Sequence, residues 1–251
     1  MESSHALYPL AVALQSATGQ HHSELTVAAL IAELIDPATD ADQVEEQILD
    51  FLKGTSETTD TESLLAWFAE HGFCNGSPTV VTDDHSHLLR VIEQRQGIPI
   101  TASVLLIAAA RLAGIEAVGI NQPGYFLVQL GADYYDPLTL KVVPHDEVSG
   151  AAASSEMLAL RMINNLKGMA FAKSELARAL DLIDLQIHFV SDLEAKATLA
   201  FEQGEIWLKL GVPSAAKAAF ERVLSWTNIP ELKRESEIRM AELEGQSETW
   251  H

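Results

Sequence analysis

The side chains able to do acid–base, nucleophilic or metal chemistry are few in this chain and mostly stand apart. Cys74 is the one cysteine, in the loop Cys74-Asn75-Gly76-Ser77-Pro78. Thr101 and Ser103 fall near the start of a helix predicted from about Pro99 to Ala113. A hydroxyl there needs an adjacent base to become a nucleophile. Without one, both are expected to hydrogen-bond within the helix or pack inward. Tyr125 titrates near pH 10 when free, so it is no base at neutral pH. Asp136 precedes Pro137 and reads as a turn cap. His85 and His87 flank Ser86 after Asp83-Asp84. Alternating histidines converge on a metal from a strand, but this cluster opens a helix, where residues two apart diverge. Surface capping is the expectation, and no metal site is predicted. His21-His22 and His145-Asp146-Glu147 are expected to be solvated. No phosphate loop, dinucleotide-binding glycine pattern or zinc-type cysteine spacing occurs, so no cofactor is expected.

The bulk properties narrow the partners. Lysine plus arginine number 16 against 36 aspartates and glutamates, a net charge of −20. Such a surface repels phosphate backbones and anionic lipid, which argues against nucleic acid and membrane surfaces. A lone cysteine forms no internal disulfide and fits a reducing cytoplasm. The opening Met1-Glu2-Ser3-Ser4-His5 lacks the basic segment of a secretion signal, so a cytoplasmic location is expected. The most apolar run, Ile98 to Leu112, carries Thr101, Ser103 and Arg111. It is too short and polar to span a bilayer and reads as a buried core helix.

The elements that must position these residues follow from hydrophobic spacing. Helices are predicted to about Gly54, then from Asp60 or Thr61 to His71, and from Asp83 to about Gln94. The buried helix from Pro99 ends at Gly114, with proline suited to its first turn. Strands are predicted at Ile115–Ile120 and Tyr125–Leu130 around Gln122-Pro123-Gly124, and at Asp133–Tyr135 and Lys141–Val143. From Ser154 to Glu244 the pattern is helical throughout. A mixed core over 1–150 and a helical tail over 151–251 are expected, with the small-residue run Gly150–Ala153 at the boundary.

Two stretches carry a family likeness. One runs from Val91-Ile92-Glu93-Gln94-Arg95-Gln96-Gly97-Ile98-Pro99-Ile100-Thr101 through the apolar helix to Pro123-Gly124-Tyr125-Phe126 and Tyr135-Asp136-Pro137. The other is Leu160-Arg161-Met162-Ile163-Asn164-Asn165-Leu166-Lys167. In order and spacing they resemble the SirB-type bacterial family. The resemblance implies an α+β fold. A transglutaminase/cysteine-protease-like core, with N-terminal helices and a buried helix on a small antiparallel sheet, would precede a tetratricopeptide-like all-α tail. The tail sequence agrees: Gly204, Trp207, Ala216 and Phe220 take the small and large positions of a repeat core. A generic helical hairpin is the alternative.

Enzymes of this core carry a cysteine at the start of the buried helix, a histidine on a strand and an aspartate on the next. The resemblance puts these positions at Pro99, Tyr125 and Asp136. Thr101, Ser103 and Phe126 would line the groove. The expectation is a non-catalytic protein-binding or regulatory protein, its partner another protein or a peptide segment. Alternatives are a residual hydrolase or acyltransferase using Ser103 or Thr101, and a structural subunit whose tail forms a homo-oligomer.

Overall fold

Proline and glycine punctuation, read against hydrophobic spacing, accounts for most element boundaries in a computed structural model of the chain. The structure describes residues 3–19 and 24–248, with side chains over 9–17 and 24–244. The helices are α1 (Ser3–Gly19), α2 (Glu24–Ile35), α3 (Ala41–Leu52), α4 (Thr61–Glu70), α5 (Leu88–Gln94) and α6 (Pro99–Leu112). The strands follow as β1 (Ala117–Gln122), β2 (Tyr125–Leu130), β3 (Asp133–Tyr135), β4 (Val142–Val143) and β5 (Ala151–Ala152). Then come α7 (Ser155–Ala172), α8 (Leu176–Phe189), α9 (Leu193–Lys209), α10 (Pro213–Trp226) and α11 (Pro230–Glu248). The chain divides into two compact units, Ala13–Met169 and a second formed by Met1–Val12 with Ala170–His251. The fold is α+β with a C-terminal all-helical region.

In the first unit α6 is the central element. Pro99 starts it, where no backbone N–H is needed, and Gly114 follows its end at φ +72°. Every residue from Ile100 to Ala110 is buried. A helix that is apolar on all faces demands such a place, and α6 lies between the sheet strands β1 and β2 and the helices α2 and α3. Asp60 begins α4 with a capping box, its carboxylate accepting the Ser63 N–H at 2.8 Å.

The sheet is antiparallel in the order β4-β3-β2-β1-β5. Gln122 faces Tyr125 across the β1–β2 turn, where proline fixes one residue and Gly124 takes φ +72°. Alternation along β2 sends Phe126 inward, 1 % exposed, and leaves Tyr125 half-buried. The run Gly150–Ala153, expected near a boundary, contributes the short strand β5 to the sheet. Ala151 and Ala152 pair with Asn121 and Ile120. A Cβ on Gly150 would stand 2.5 Å from the Asn121 carbonyl oxygen, so only glycine lets the backbones approach this closely.

In the second unit α9 packs on α8 and α10, and α11 on α10. Small and large residues meet where α9 and α10 cross. A Cβ on Gly204 would overlap the fully buried ring of Phe220, and Ala216 is also fully buried. Trp207 is only half-buried, and Ile206 beside it is 2 % exposed. Gln203 links three helices through its amide: Nε2 donates to Asp184 at 2.5 Å, and Oε1 accepts from Arg222 at 2.7 Å.

Candidate functional site

The start of α6, the β1–β2 hairpin and the turn after β3 carry the sequence-predicted site residues. Pro99 is the first residue of α6 and is half-buried. Thr101 and Ser103 follow on the helix, and both are 0 % exposed. Ser103 donates its hydroxyl to the Pro99 carbonyl at 2.8 Å, the back-bond expected of a helical serine. The Thr101 hydroxyl is buried without a partner. Thr101, Ser103 and Phe126, expected along a groove, are therefore packed inside. Pro99, Tyr125 and Asp136 are the members with partial access to solvent.

Tyr125 and Asp136 do come together. The tyrosine hydroxyl donates to Asp136 Oδ2 at 3.2 Å. The other carboxylate oxygen accepts the backbone N–H groups of Leu138 at 2.8 Å and Thr139 at 3.1 Å. The Asp136 backbone closes the same turn, its N–H donating to Lys141 and its carbonyl accepting from Leu140. Leu140 pays with φ +57°, a left-handed conformation unusual for a branched residue. Burial, then the neighbouring carboxylate, raises the Tyr125 pKa far above the ordinary phenol value. This phenol stays protonated and donates; it takes no proton at neutral pH.

Arg161 completes the arrangement, and no role was expected for it. From α7 its guanidinium donates to Asn121 Oδ1 at 2.8 Å and to the carbonyls of Gln122 and Tyr125 at 3.2 Å each. It grips both strands of the hairpin that presents Tyr125. A lone arginine inside Leu160–Lys167 was the available signal, but the strand ends it reaches are about 40 residues away in sequence.

Cys74 is exposed in its loop. That loop is joined to the Asp136 turn by a bond from the Gly76 N–H to the Leu138 carbonyl at 3.1 Å. The histidines correct the surface-capping expectation. His85 is 7 % and His87 3 % exposed. Asp83–Ser86 form a separate 3-10 turn, in which Thr82 and His85 cap each other, and α5 starts only after His87. His87 makes no side-chain capping bond. The local sequence signals polarity but not that α2, α3 and α6 pack around α5. His145 is exposed and lies 3.7 Å from Asp133; His21 and His22 lie outside the described residues. Among the described residues no cluster of histidine, cysteine or carboxylate groups could hold a metal, and no helix is long and apolar enough to cross a membrane.

Comparison with known proteins agrees with this architecture. A UPF0162 protein of Pseudomonas aeruginosa is 27 % identical over 205 aligned residues, covering 72 % of this chain and 73 % of the relative. A UPF0162 protein of Xylella fastidiosa strain 9a5c is 28 % identical over 141 residues, 51 % of this chain and 48 % of its own. One from strain Temecula1 is 36 % identical over 66 residues, 26 % and 24 % of the two chains. No solved structure matches the chain. The family model described as the transglutaminase-like superfamily matches residues 27–185, the span that holds α6, the whole sheet and the Tyr125–Asp136–Arg161 cluster. The chain belongs to the transglutaminase-like superfamily.

Proposed function

We propose that this protein is a non-catalytic member of its superfamily that binds another protein or a peptide segment beside Tyr125 and the start of α6. The carrying observation is that Asp136 accepts from the Tyr125 phenol and from two backbone N–H groups of its own turn, with tyrosine at the place the resemblance gives to the base. An aspartate that orients a base must accept from that base. Here it accepts from a phenol that holds its proton. Pro99, at the place the resemblance gives to the nucleophile, has no reactive side chain.

The surroundings favour a protein ligand. Val80 and Val81 stand 71 % and 44 % exposed in the loop tied to the Asp136 turn. Neighbouring apolar side chains left in water often mark a contact surface. The acidic chain suits a partner of basic character. We further read α9 and α10 as a tetratricopeptide-like pair, on the Gly204–Phe220 crossing.

The competing reading is a residual hydrolase or acyltransferase. One observation favours it: the buried Thr101 hydroxyl has no partner. A threonine does meet a histidine at Thr82 and His85, 3.0 Å apart, but His85 Nδ1 also accepts the Thr82 backbone N–H within the capping box.

Two measurements separate the readings. A photo-crosslinking side chain at Tyr125 should capture a partner that the unlabelled protein competes away, whereas the same probe at Glu70 should not. Purified protein should release no ammonia from glutamine peptides and no phenol from aryl esters. Turnover that disappears in Thr101→Val would establish the enzyme reading and remove ours.

A further inference from the structure

We propose that His87 is a proton-operated latch, whose protonation frees the Asp83–Gln94 segment from the start of α6. The imidazole is 3 % exposed, and neither ring nitrogen has a hydrogen-bond partner. Its backbone is fixed on both sides, its N–H donating to Asp84 at 3.2 Å and its carbonyl accepting from Val91 at 3.0 Å. Leu88 and Val91 around it are fully buried. The hydroxyl of Ser86 is also buried and unpartnered, so it supplies no bond to the ring. A charge placed here would have neither water nor a bonded counter-ion, a costly arrangement.

Among the described residues three charged groups act on the ring. Arg90 on α5 opposes protonation, whereas Asp36 after α2 and Asp84 in the 3-10 turn favour it; α3 and α6 contribute none. Neither aspartate bonds the imidazole. Burial, with Arg90, outweighs the two aspartates and the ring's interaction with its own backbone, and holds the ring below its ordinary pKa. The sign follows. Above the ordinary histidine value of about 6.5 the ring is neutral whether the segment is closed or open. As pH falls through that value the open state takes up a proton first, and the closed state loses stability until its own lower pKa is passed.

The consequence reaches α6 through one bond. The Ile98 N–H donates to the His85 carbonyl at 3.3 Å, immediately before Pro99. Gly97 packs against Val91 and that same carbonyl, where a Cβ would come 3.0 Å from a Val91 methyl group. When the segment lifts, the first turn of α6 loses its tether. This device acts whether or not the site beside Tyr125 binds a peptide.

Hydrogen exchange read by mass spectrometry at about pH 7.5 and about pH 5.5, corrected for intrinsic rates, tests the latch against the open–closed linkage. In the native protein, protection across Asp83–Ile98 should fall several-fold at the acid condition, while α9 and α10 keep theirs. His87→Leu, which fills the space with an apolar group, should abolish the fall; His85 remains in that variant as a control. Equal losses in both proteins, or no loss in the native one, would overturn the proposal. Should His87→Leu not fold, NMR titration of the native His87 ring decides: a midpoint at or above about 6.5 refutes the latch, and one below it supports it.

Discussion

Removing the Tyr125 hydroxyl is a small test and removing the Asp136 carboxylate a larger one. Tyr125→Phe deletes a single bond and leaves Asp136 held by two backbone donors, so it should cost about 1 kcal/mol in denaturant unfolding. Asp136→Ala strips the acceptor from the Leu138 and Thr139 N–H groups as well and should cost roughly 2–3 kcal/mol. Equal costs would show that the turn does not depend on the carboxylate. The raised Tyr125 pKa makes a further demand. Its phenol is stabilised in the protonated form, so that contribution is present below about pH 10 and fades above it as the unfolded chain ionises first. Burial, then Asp133, also raises Tyr135, though less, so absorbance titration should find Tyr125 lagging furthest, and Tyr125→Phe should remove that last component.

Tyr125 and Asp136 were visible in the sequence because the hairpin and turn carry strong local signals, Pro123-Gly124 and Asp136-Pro137. Arg161 and His87 were not. The role of each depends on what packs against it from distant sequence, and a polar residue looks solvent-facing until that packing is known.

Elements tell the same story one level up. The bounds of β2, β3 and α8 could be read from spacing alone, and Pro99 and Gly114 bracket α6. The Gly150–Ala153 run could not be placed. Small residues mark a loose linker and a close backbone approach alike, and the Asn121 carbonyl beside Gly150 shows that the second applies. The α9–α10 crossing offers the sharpest test. Gly204→Ala forces a methyl group into the Phe220 ring and should destabilise the helical region by roughly 1–3 kcal/mol. Phe220→Ala should cost about 3–5 kcal/mol, because that ring is fully buried. Trp207→Ala should cost less than Phe220→Ala, since Trp207 is half-exposed and fills no closed space. Thermal unfolding of the three variants gives the order; if Trp207 ranked first, the Gly204–Phe220 contact would not be the centre of this crossing.

For the whole molecule the dominant fact is charge. The chain carries 36 acidic against 16 basic residues. Several basic groups pair with a carboxylate three residues away in or at the end of a helix, as Lys53 does with Asp50, Arg90 with Glu93 and Arg178 with Glu175. Exposed pairs at this spacing contribute little and leave most carboxylates uncompensated. Their mutual repulsion acts through solvent and opposes compactness, so it should respond to ionic strength more than to any single substitution. At about 0.1 M salt the screening length is about 10 Å, and it shortens to about 3 Å at 1 M. The midpoint of thermal unfolding should therefore rise by several degrees between about 0.02 M and about 0.5 M sodium chloride, a change that sucrose at matched osmolality does not reproduce. A midpoint that fell with salt would mean that the ion pairs outweigh the excess acid. An acidic surface would then be no guide to a basic partner either, because its field would already be cancelled close to the protein.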